Sequence, residues 1–291
     1  MEYYWWLIGI SIMVALFEVC WPAREQMKVR AWLWSDVIHL LFNGHFLGVW
    51  LYLISTKHIL PLMDSALLSQ GWHHWVYRST AQELPLWVQV ILAIVIIDFV
   101  HWNIHRLLHR FDFLWRFHQI HHSVKDGEMD WVVAFRFSWV EPVIYKTLSY
   151  LPLAWLGFAP QAIFVHAVFG TLIGHLNHSN VSWDYGVLRY VLNSPKMHLH
   201  HHSYDAPRHG HNFGIIFSCW DWMFKTAHLP PEPPKRIGFK GEEDMPQDFL
   251  GHMSWPLNLM FKESGTRWRH SFLGACVVLL LYIASSAAPI I

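Results

Sequence analysis

The apolar residues of this chain fall into long runs that are separated by short polar segments. A helix needs about 20 mainly apolar residues to cross a bilayer core about 30 Å thick, because lipid offers the backbone no hydrogen-bond partner. Four segments approach or reach this length, at residues 3–19, 33–54, 86–102 and 272–291. The pattern predicts an all-α fold, a polytopic membrane helical bundle.

A further apolar stretch, residues 145–176, is interrupted by Pro152 and Pro160. Proline cannot donate a backbone hydrogen bond, and its ring disturbs the preceding helical turn. We therefore predict two helices joined as a hairpin that enters the membrane and returns.

The remaining segments divide the chain into four parts. Residues 1–97 hold the first membrane helices and their loops, and residues 98–226 form a histidine-rich domain. Residues 227–269 combine a surface linker, rich in proline and charge, with a segment at 249–261 whose alternating aromatic and polar residues suit the membrane interface. Residues 270–291 contain the C-terminal membrane helix.

The basic residues predict how the bundle is oriented, because cytoplasmic loops carry an excess of lysine and arginine. If the loop at residues 20–32 is cytoplasmic, alternation of the helices places three basic clusters on that side and the amino terminus outside. The clusters are Arg24, Lys28 and Arg30; Arg106, Arg110 and Arg116; and Arg267 and Arg269. We expect the inner membrane of a bacterium rather than the endoplasmic reticulum.

Composition excludes several other classes of protein. Charged residues make up 14% of the chain and the formal net charge is zero, so the positive charge of a nucleic-acid binder is missing. A hydrophobic content of 54% excludes a disordered chain. Cys20, Cys219 and Cys276 lie far apart, so neither a disulfide framework nor a cysteine-ligated metal site is supported.

Histidine is unusually abundant, with 23 residues. Many lie three or four positions apart in the histidine-rich domain, as in HRLLH, HQIHH, HLNH and HLHHH. Such spacings place side chains on one face of a helix, where two imidazoles can reach one metal ion. The candidate ligands are His105, His109, His118, His121, His122, His175, His178, His198, His201 and His202.

Ten imidazoles exceed the four to six ligands, roughly, that one transition-metal ion accepts, so we predict two ions. A zinc protease would need HExxH with a glutamate base, whereas Arg106 and Gln119 occupy that position here. We predict a histidine-bound, non-haem diiron centre that activates O2 beside a lipid chain, in a cap on the cytoplasmic side of the bundle.

Four further histidines leave the ligand set open. His166, His209 and His211 could each replace His175 in the set. His101 extends the stripe of histidines on the helix that carries His105, one turn deeper. His200 lies between His198 and His202 and is expected to point away if this box is helical.

Neutral ligands leave the charge of two metal ions uncompensated, so carboxylates are expected to hydrogen-bond to the ligating imidazoles. Asp98 is the first candidate, because it precedes His105 by seven residues and therefore lies on the same helix face. Glu141 and Asp205 are the other two candidates.

Taken in order, the histidine boxes resemble those of the fatty acid hydroxylase and sterol desaturase superfamily of membrane proteins. The resemblance covers residues 98–226 and is carried by DFVHWNIHRLLH, LWRFHQIHHS, GHLNHSN, NSPKMHLHHHS and NFGIIFSCWDWMFKT. Eight of the candidate ligands match the family boxes directly, whereas His175 and His178 match its less regular middle motif.

The resemblance implies a cytoplasmic diiron centre and an enzyme that uses O2 and two electrons to hydroxylate or desaturate a C–H bond of a lipid or sterol. The chain has no GxGxxG loop, no cysteine set for an iron–sulfur cluster and no fused haem domain. A separate electron donor is therefore implied, such as a ferredoxin, a cytochrome or a reductase. Some family members, the alkylglycerol monooxygenases, use a reduced pterin instead, and this ether oxidation stays an alternative.

Three other interpretations of the histidines stay open. A membrane cytochrome could use paired histidines to ligate haem, and a metal transporter could place them along a path through several helices. A non-catalytic, metal-binding relative is the third.

Overall fold

The computed structural model describes residues 2–26, 29–72, 81–124, 127–207 and 210–264. These residues are mostly helical and contain no strand, only isolated bridges between Leu192 and Phe217 and between Ser203 and Ile237. The longer helices are α1 (Tyr3–Cys20), α2 (Leu33–Ser69), α3 (Leu86–Arg110), α4 (Asp112–His122), α5 (Val140–Trp155), α6 (Pro160–His178), α7 (Pro195–His201), α8 (Cys219–Met223) and α9 (Phe249–Ser264).

Three helices of the described part are long and apolar enough to cross a membrane, namely α1, α2 and α3. This agrees with the predicted helical membrane bundle. Helix α2 runs through two π-helical turns and ends at Ser69, well beyond the predicted residue 54. Helix α3 continues to Arg110, which adds two turns that carry histidines. The predicted helix at 272–291 lies outside the described residues, and the four-part division of the chain stays a prediction.

The predicted hairpin is formed by α5 and α6. Gly157, which adopts a positive φ of 81°, lies in the connection between them, and glycine is the residue that takes up this left-handed conformation at least cost. Pro160 begins α6, where its missing N–H leaves no partner unsatisfied. Pro152 lies inside α5 instead of ending it, so only one of the two prolines marks a boundary.

Helix α6 is the centre of the bundle. It packs against α1, α3, α5, α7 and the 3-10 turn Trp131–Phe135. Ala93, Ile97, Leu153 and Ala162, from α3, α5 and α6, are buried together. This packing fixes the C-terminal ends of α3 and α6 next to each other.

A buried ionic cluster holds the start of α2 against the segment that precedes α5. The Asp36 carboxylate, which has no exposed surface, accepts hydrogen bonds from both Arg30 and Arg136. Arg30 also donates to both oxygens of Asp130. The cluster thus ties residues 30–36 to residues 130–136 of the histidine-rich domain.

The segment predicted as a surface linker and interfacial stretch is tied to the domain at two points. Ile237 is fully buried in a core with Leu199, and the Gly238 amide donates to the carbonyl of His202. In α9, the His252 Nδ1 lies 3.0 Å from the Nε2 of His39 on α2. The expectation of a linker confined to the surface is therefore wrong at Ile237, because an apolar side chain there fills the space beneath α7.

Asp36→Asn is expected to lower the free energy of unfolding by about 3 to 5 kcal/mol, because it leaves buried guanidinium groups without their carboxylate. Denaturant titration in detergent micelles would measure the change. Asp184→Asn is the matched control, since its ion pair with Arg189 is about one-third exposed and is worth at most about 1 kcal/mol. Equal effects of the two variants would contradict this assignment.

Candidate metal centre

The histidine boxes lie at the ends of four helices that meet at one end of the bundle. Helix α3 carries HRLLH near its C-terminus, α4 carries HQIHH, α6 ends in HLNH, and α7 carries HLHHH. Helices α3 and α4 are separated by a single residue, Phe111, so the chain turns sharply and brings the first two boxes together.

Nine of the ten predicted ligands converge in two groups. Within each group, one ligand atom of every residue lies within 4.8 Å of the others, and all nine side chains are buried. The five-membered group is His105, His109, His118, His122 and His201, and the four-membered group is His121, His178, His198 and His202.

Four of these imidazoles have a fixed tautomer, because their Nδ1 atom faces an oxygen that accepts a hydrogen bond. His105, His201 and His178 donate to the backbone carbonyls of Phe213, His211 and Gly174, respectively, at 2.7 to 2.9 Å. His118 donates to the Glu141 carboxylate at 2.6 Å. A neutral imidazole has only one N–H, so the Nε2 atom of each of these four rings carries a bare lone pair.

These lone pairs point at one another. The Nε2 atoms of His105 and His118 are 3.1 Å apart, although neither has a proton to share. Lone pairs at this distance repel unless a cation lies between them. In the other group, the Nε2 lone pair of His178 faces the Nε2 atoms of both His121 and His198 at 3.0 Å. The Nδ1 atoms of these two rings have no hydrogen-bond partner within the described part of the chain, so no contact fixes their tautomer.

A metal ion fits this arrangement. At a metal–nitrogen bond of about 2.1 Å, neighbouring ligand atoms lie roughly 3.0 to 3.4 Å apart in octahedral and tetrahedral geometry. The Nε2 pairs of the two groups lie 3.0 to 3.2 Å apart. The buried Nε2 of His201 has no hydrogen-bond partner within the described part of the chain, as expected of an atom reserved for an ion.

Protonation of the imidazole rings does not relieve the close approach of their Nε2 atoms. Burial lowers the pKa of the imidazoles on α4 and α7 well below the ordinary value of 6.5, and the charges of neighbouring histidines lower it further. The rings are therefore neutral near pH 7, which is the form that binds metal. The affected residues are His118, His121, His122, His198, His201 and His202.

One of the three predicted carboxylate partners lies beside a ligand. Glu141, fully buried at the start of α5, accepts the Nδ1–H of His118 at 2.6 Å. Its other oxygen accepts from the backbone N–H and the hydroxyl of Ser138. Asp205 is exposed and contacts none of the nine imidazoles.

The prediction that Asp98 hydrogen-bonds to a ligating imidazole is wrong. Its carboxylate accepts hydrogen bonds from the amides of Ile216 and Phe217 and from the indole of Trp220. Asp98 does precede His105 by two helical turns, but the loop at residues 213–217, more than 100 residues away in sequence, packs against this part of α3 and takes up the carboxylate.

His175 does not join either group. Its Nε2 lies 3.1 Å from the Ser11 hydroxyl of α1, because it is almost one helical turn below His178 and faces a different neighbour. Two of the three possible replacements do not take its place, because His166 lies near the Tyr150 hydroxyl and His211 contributes its backbone carbonyl. The third, His209, lies outside the described residues.

Sequence reasoning missed the groups that orient the ligands. Three of them are backbone carbonyls, which leave no trace in the side-chain pattern. A fourth is Asp221, which accepts hydrogen bonds from the amides of Phe213 and Gly214 and from the indole of Trp102. Asp221 thus fixes the loop that offers the Phe213 carbonyl to His105, and its place in the motif CWDWMFKT was the available signal.

Residues 90–226 match the fatty acid hydroxylase family. An ornithine lipid hydroxylase, OlsE of Rhizobium tropici, is 31% identical over 251 residues, which cover 84% of this chain and 72% of that protein. The chain belongs to the fatty acid hydroxylase family. The resemblance noted in the histidine boxes is thereby confirmed, and the homologues are oxidoreductases that act on lipids.

Alkylglycerol monooxygenases are also similar. The Danio rerio protein is 29% identical over 211 residues, which cover 72% of this chain and 41% of that protein. The Homo sapiens protein is 32% identical over 146 residues, which cover 50% and 31%, respectively. The chain therefore spans less than half the length of these monooxygenases. No solved structure matches the chain.

Glu141→Ala is expected to weaken iron binding about 10- to 100-fold, because the Nδ1–H of His118 loses the acceptor that orients the ring. Iron per folded chain, measured after equilibration at a series of buffered iron concentrations, would give the affinity. Asp205→Asn is the control and should bind iron like the unaltered protein. An unchanged affinity in Glu141→Ala would remove this carboxylate from the centre.

His178→Ala is expected to lose metal from the four-membered group, whereas His175→Ala should keep the full metal content. The two residues lie in the same helix and are both buried, so they make a matched pair. Metal should be counted on the monodisperse fraction from size exclusion, which separates folding defects from ligand loss. Equal loss of metal in both variants would show that His175 belongs to the site.

Proposed function

We propose that the protein is an O2-dependent diiron monooxygenase that hydroxylates a C–H bond of a membrane lipid. The observation that carries the proposal is the convergence of nine buried imidazoles in two groups, in one of which the bare Nε2 lone pairs of His105 and His118 face each other. A cation between the rings satisfies such an arrangement.

Two ions are supported by the number and the grouping of the imidazoles. Five and four nitrogen donors each suit the coordination sphere of one transition-metal ion, whereas nine exceed it. All nine donors are neutral imidazole nitrogens, which suit zinc, copper, iron and nickel. The relationship to the fatty acid hydroxylases supports iron over zinc or copper.

A lipid substrate is supported by the position of the groups. They lie where α3 and α6 end, and α3 is one of the helices that can cross a membrane. The side of α3 away from the core exposes Ile91, Val95 and Phe99, a surface that suits acyl chains. The relatives named above are lipid hydroxylases and monooxygenases.

The chain's own residues have two tasks in this reaction. Bound iron would supply the redox chemistry that activates O2. Glu141 and the carbonyls of Phe213, His211 and Gly174 hold the protons of four imidazoles outward, which keeps the Nε2 atom of each of these rings available to the metal. Burial of the nine rings excludes water, and a dry site limits side reactions of the oxidant.

The proposal also includes the side of the membrane on which the metal centre lies and the source of the electrons. The basic residues near the histidine-rich ends of the helices favour the cytoplasmic side of a bacterial membrane, and the bacterial relative fits this placement. Electrons would come from a separate donor, because the sequence contains no dinucleotide loop and no set of cysteines for an iron–sulfur cluster.

The geometry argues against haem and transport. Haem iron takes one or two protein ligands, whereas five and four imidazoles converge in the two groups here. The imidazoles also converge on one end of the bundle instead of forming a path through several helices, which argues against a metal transporter.

Ether oxidation of the alkylglycerol type is the second candidate function, and similarity to the monooxygenases from four animals favours it.

Comparison of the lipids of cells with and without the gene, under heavy-isotope O2, tests the reaction. A lipid should gain the mass of one labelled oxygen atom with the unaltered protein and not with His121→Ala or His201→Ala, since each variant removes a ligand from one group. Loss of two hydrogens would indicate desaturation, and cleavage of an ether lipid would favour the second candidate. No gene-dependent change in any lipid under aerobic growth would contradict the proposal.

A further inference from the structure

A lysine lies between two membrane helices close to the histidine groups, and none of the features described so far uses it. Lys146 is on α5, five residues after Glu141, and is partly buried. At 1.5 Å rise per residue, it lies about 7.5 Å further along the helix than Glu141. The residue thus lies deeper in the hairpin than the metal centre, but near it.

The space for this ammonium group is provided by a glycine of α2. A Cβ atom at Gly48 would lie less than 2.5 Å from the Lys146 Nζ, so any other residue at position 48 would displace the lysine. The neighbouring residues of α2 and α5 are large and apolar, among them Leu47 and Leu148. The close approach of the two helices here makes a cradle for one charged group.

No carboxylate among the described residues lies within ion-pair distance of Lys146. An ammonium group in a low-dielectric region is costly unless a negative charge or water compensates it. The nearby groups of α3 and α5 are polar but not anionic, namely His101, Tyr145 and Ser149. A bound anion would supply the counter-charge that the described residues do not.

The cradle lies close to the metal centre along two helices. His101, beside Lys146, is one turn from His105 on α3, and Tyr145 lies one turn from Glu141 on α5. A molecule bound at the ammonium group would therefore lie within about two helical turns of the imidazoles.

We infer that Lys146 binds the anionic group, a phosphate or a carboxylate, of the lipid that is presented to the histidine groups, in the cradle opposite Gly48. The inference rests on the proposed function, because it names the class of substrate for that site. A negatively charged headgroup supplies the missing counter-charge, and its acyl chains remain in the bilayer. Lys146 would thus select lipids by headgroup charge.

Binding of lipids with brominated acyl chains to the iron-loaded, full-length protein tests the inference, since bromine quenches the intrinsic tryptophan fluorescence. The probes are phosphatidic acid, a diacylglycerol hemisuccinate and neutral diacylglycerol with the same chains. Lys146→Met, which keeps the length and apolar stem, should weaken binding of both anionic lipids about tenfold or more and leave diacylglycerol unchanged. Lys146→Arg should restore binding, and Lys57→Met, at an exposed position of α2, is the control.

Unchanged binding of the anionic lipids to Lys146→Met, or an equal loss for diacylglycerol, would overturn the inference and leave Lys146 as a side chain that only packs against Gly48. Displacement of phosphatidic acid by inorganic phosphate at equal concentration would also overturn it, because the site would then take free phosphate. If the headgroup preference depends on Lys146 but no lipid is ever oxidised, the binding site stands and the proposed reaction fails.

Discussion

The arrangement of this site depends on where four imidazole protons are held. Carbonyl and carboxylate oxygens around the centre accept these Nδ1–H groups, and as a result the Nε2 lone pairs of the four rings are directed into the two groups, where those of His105 and His118 face each other. In a buried site with neutral rings, that arrangement is repulsive by itself and favourable around metal ions. The protein therefore has to hold the rings in place by means other than their own contacts.

Two kinds of interaction provide this support. The packing of α6 against α1, α3 and α5 fixes the helix ends that carry the histidines. Two buried carboxylates, those of Asp98 and Asp221, accept amide protons from residues 213–217 and hold this loop against α3. The loop carries the Phe213 carbonyl that orients His105, so the effect of both carboxylates reaches the centre through the backbone.

Much of the site could be predicted from local spacing. Residues three or four apart share a helix face, which is why HRLLH, HQIHH and HLHHH yielded eight ligand positions that converge in the structure. The same periodicity explains why His200 falls outside both groups. Glu141 was found as a carboxylate close to the boxes, and it does bond to His118.

The remaining features depend on which elements pack together, and helical spacing does not contain that information. His175 and Asp98 satisfy the spacing rule, yet one faces α1 and the other faces the loop at 213–217. The orienting carbonyls are independent of side-chain identity. The burial of Ile237 could not be predicted, because a single apolar residue in a proline-rich segment has no periodicity that would indicate a buried face.

Iron content and iron K-edge X-ray absorption of the purified, iron-loaded protein would show whether nitrogen ligands of the two groups hold two ions. We expect two irons per chain, each in a shell dominated by imidazole nitrogen. A single iron at saturation, or a shell dominated by oxygen or sulfur, would contradict this expectation.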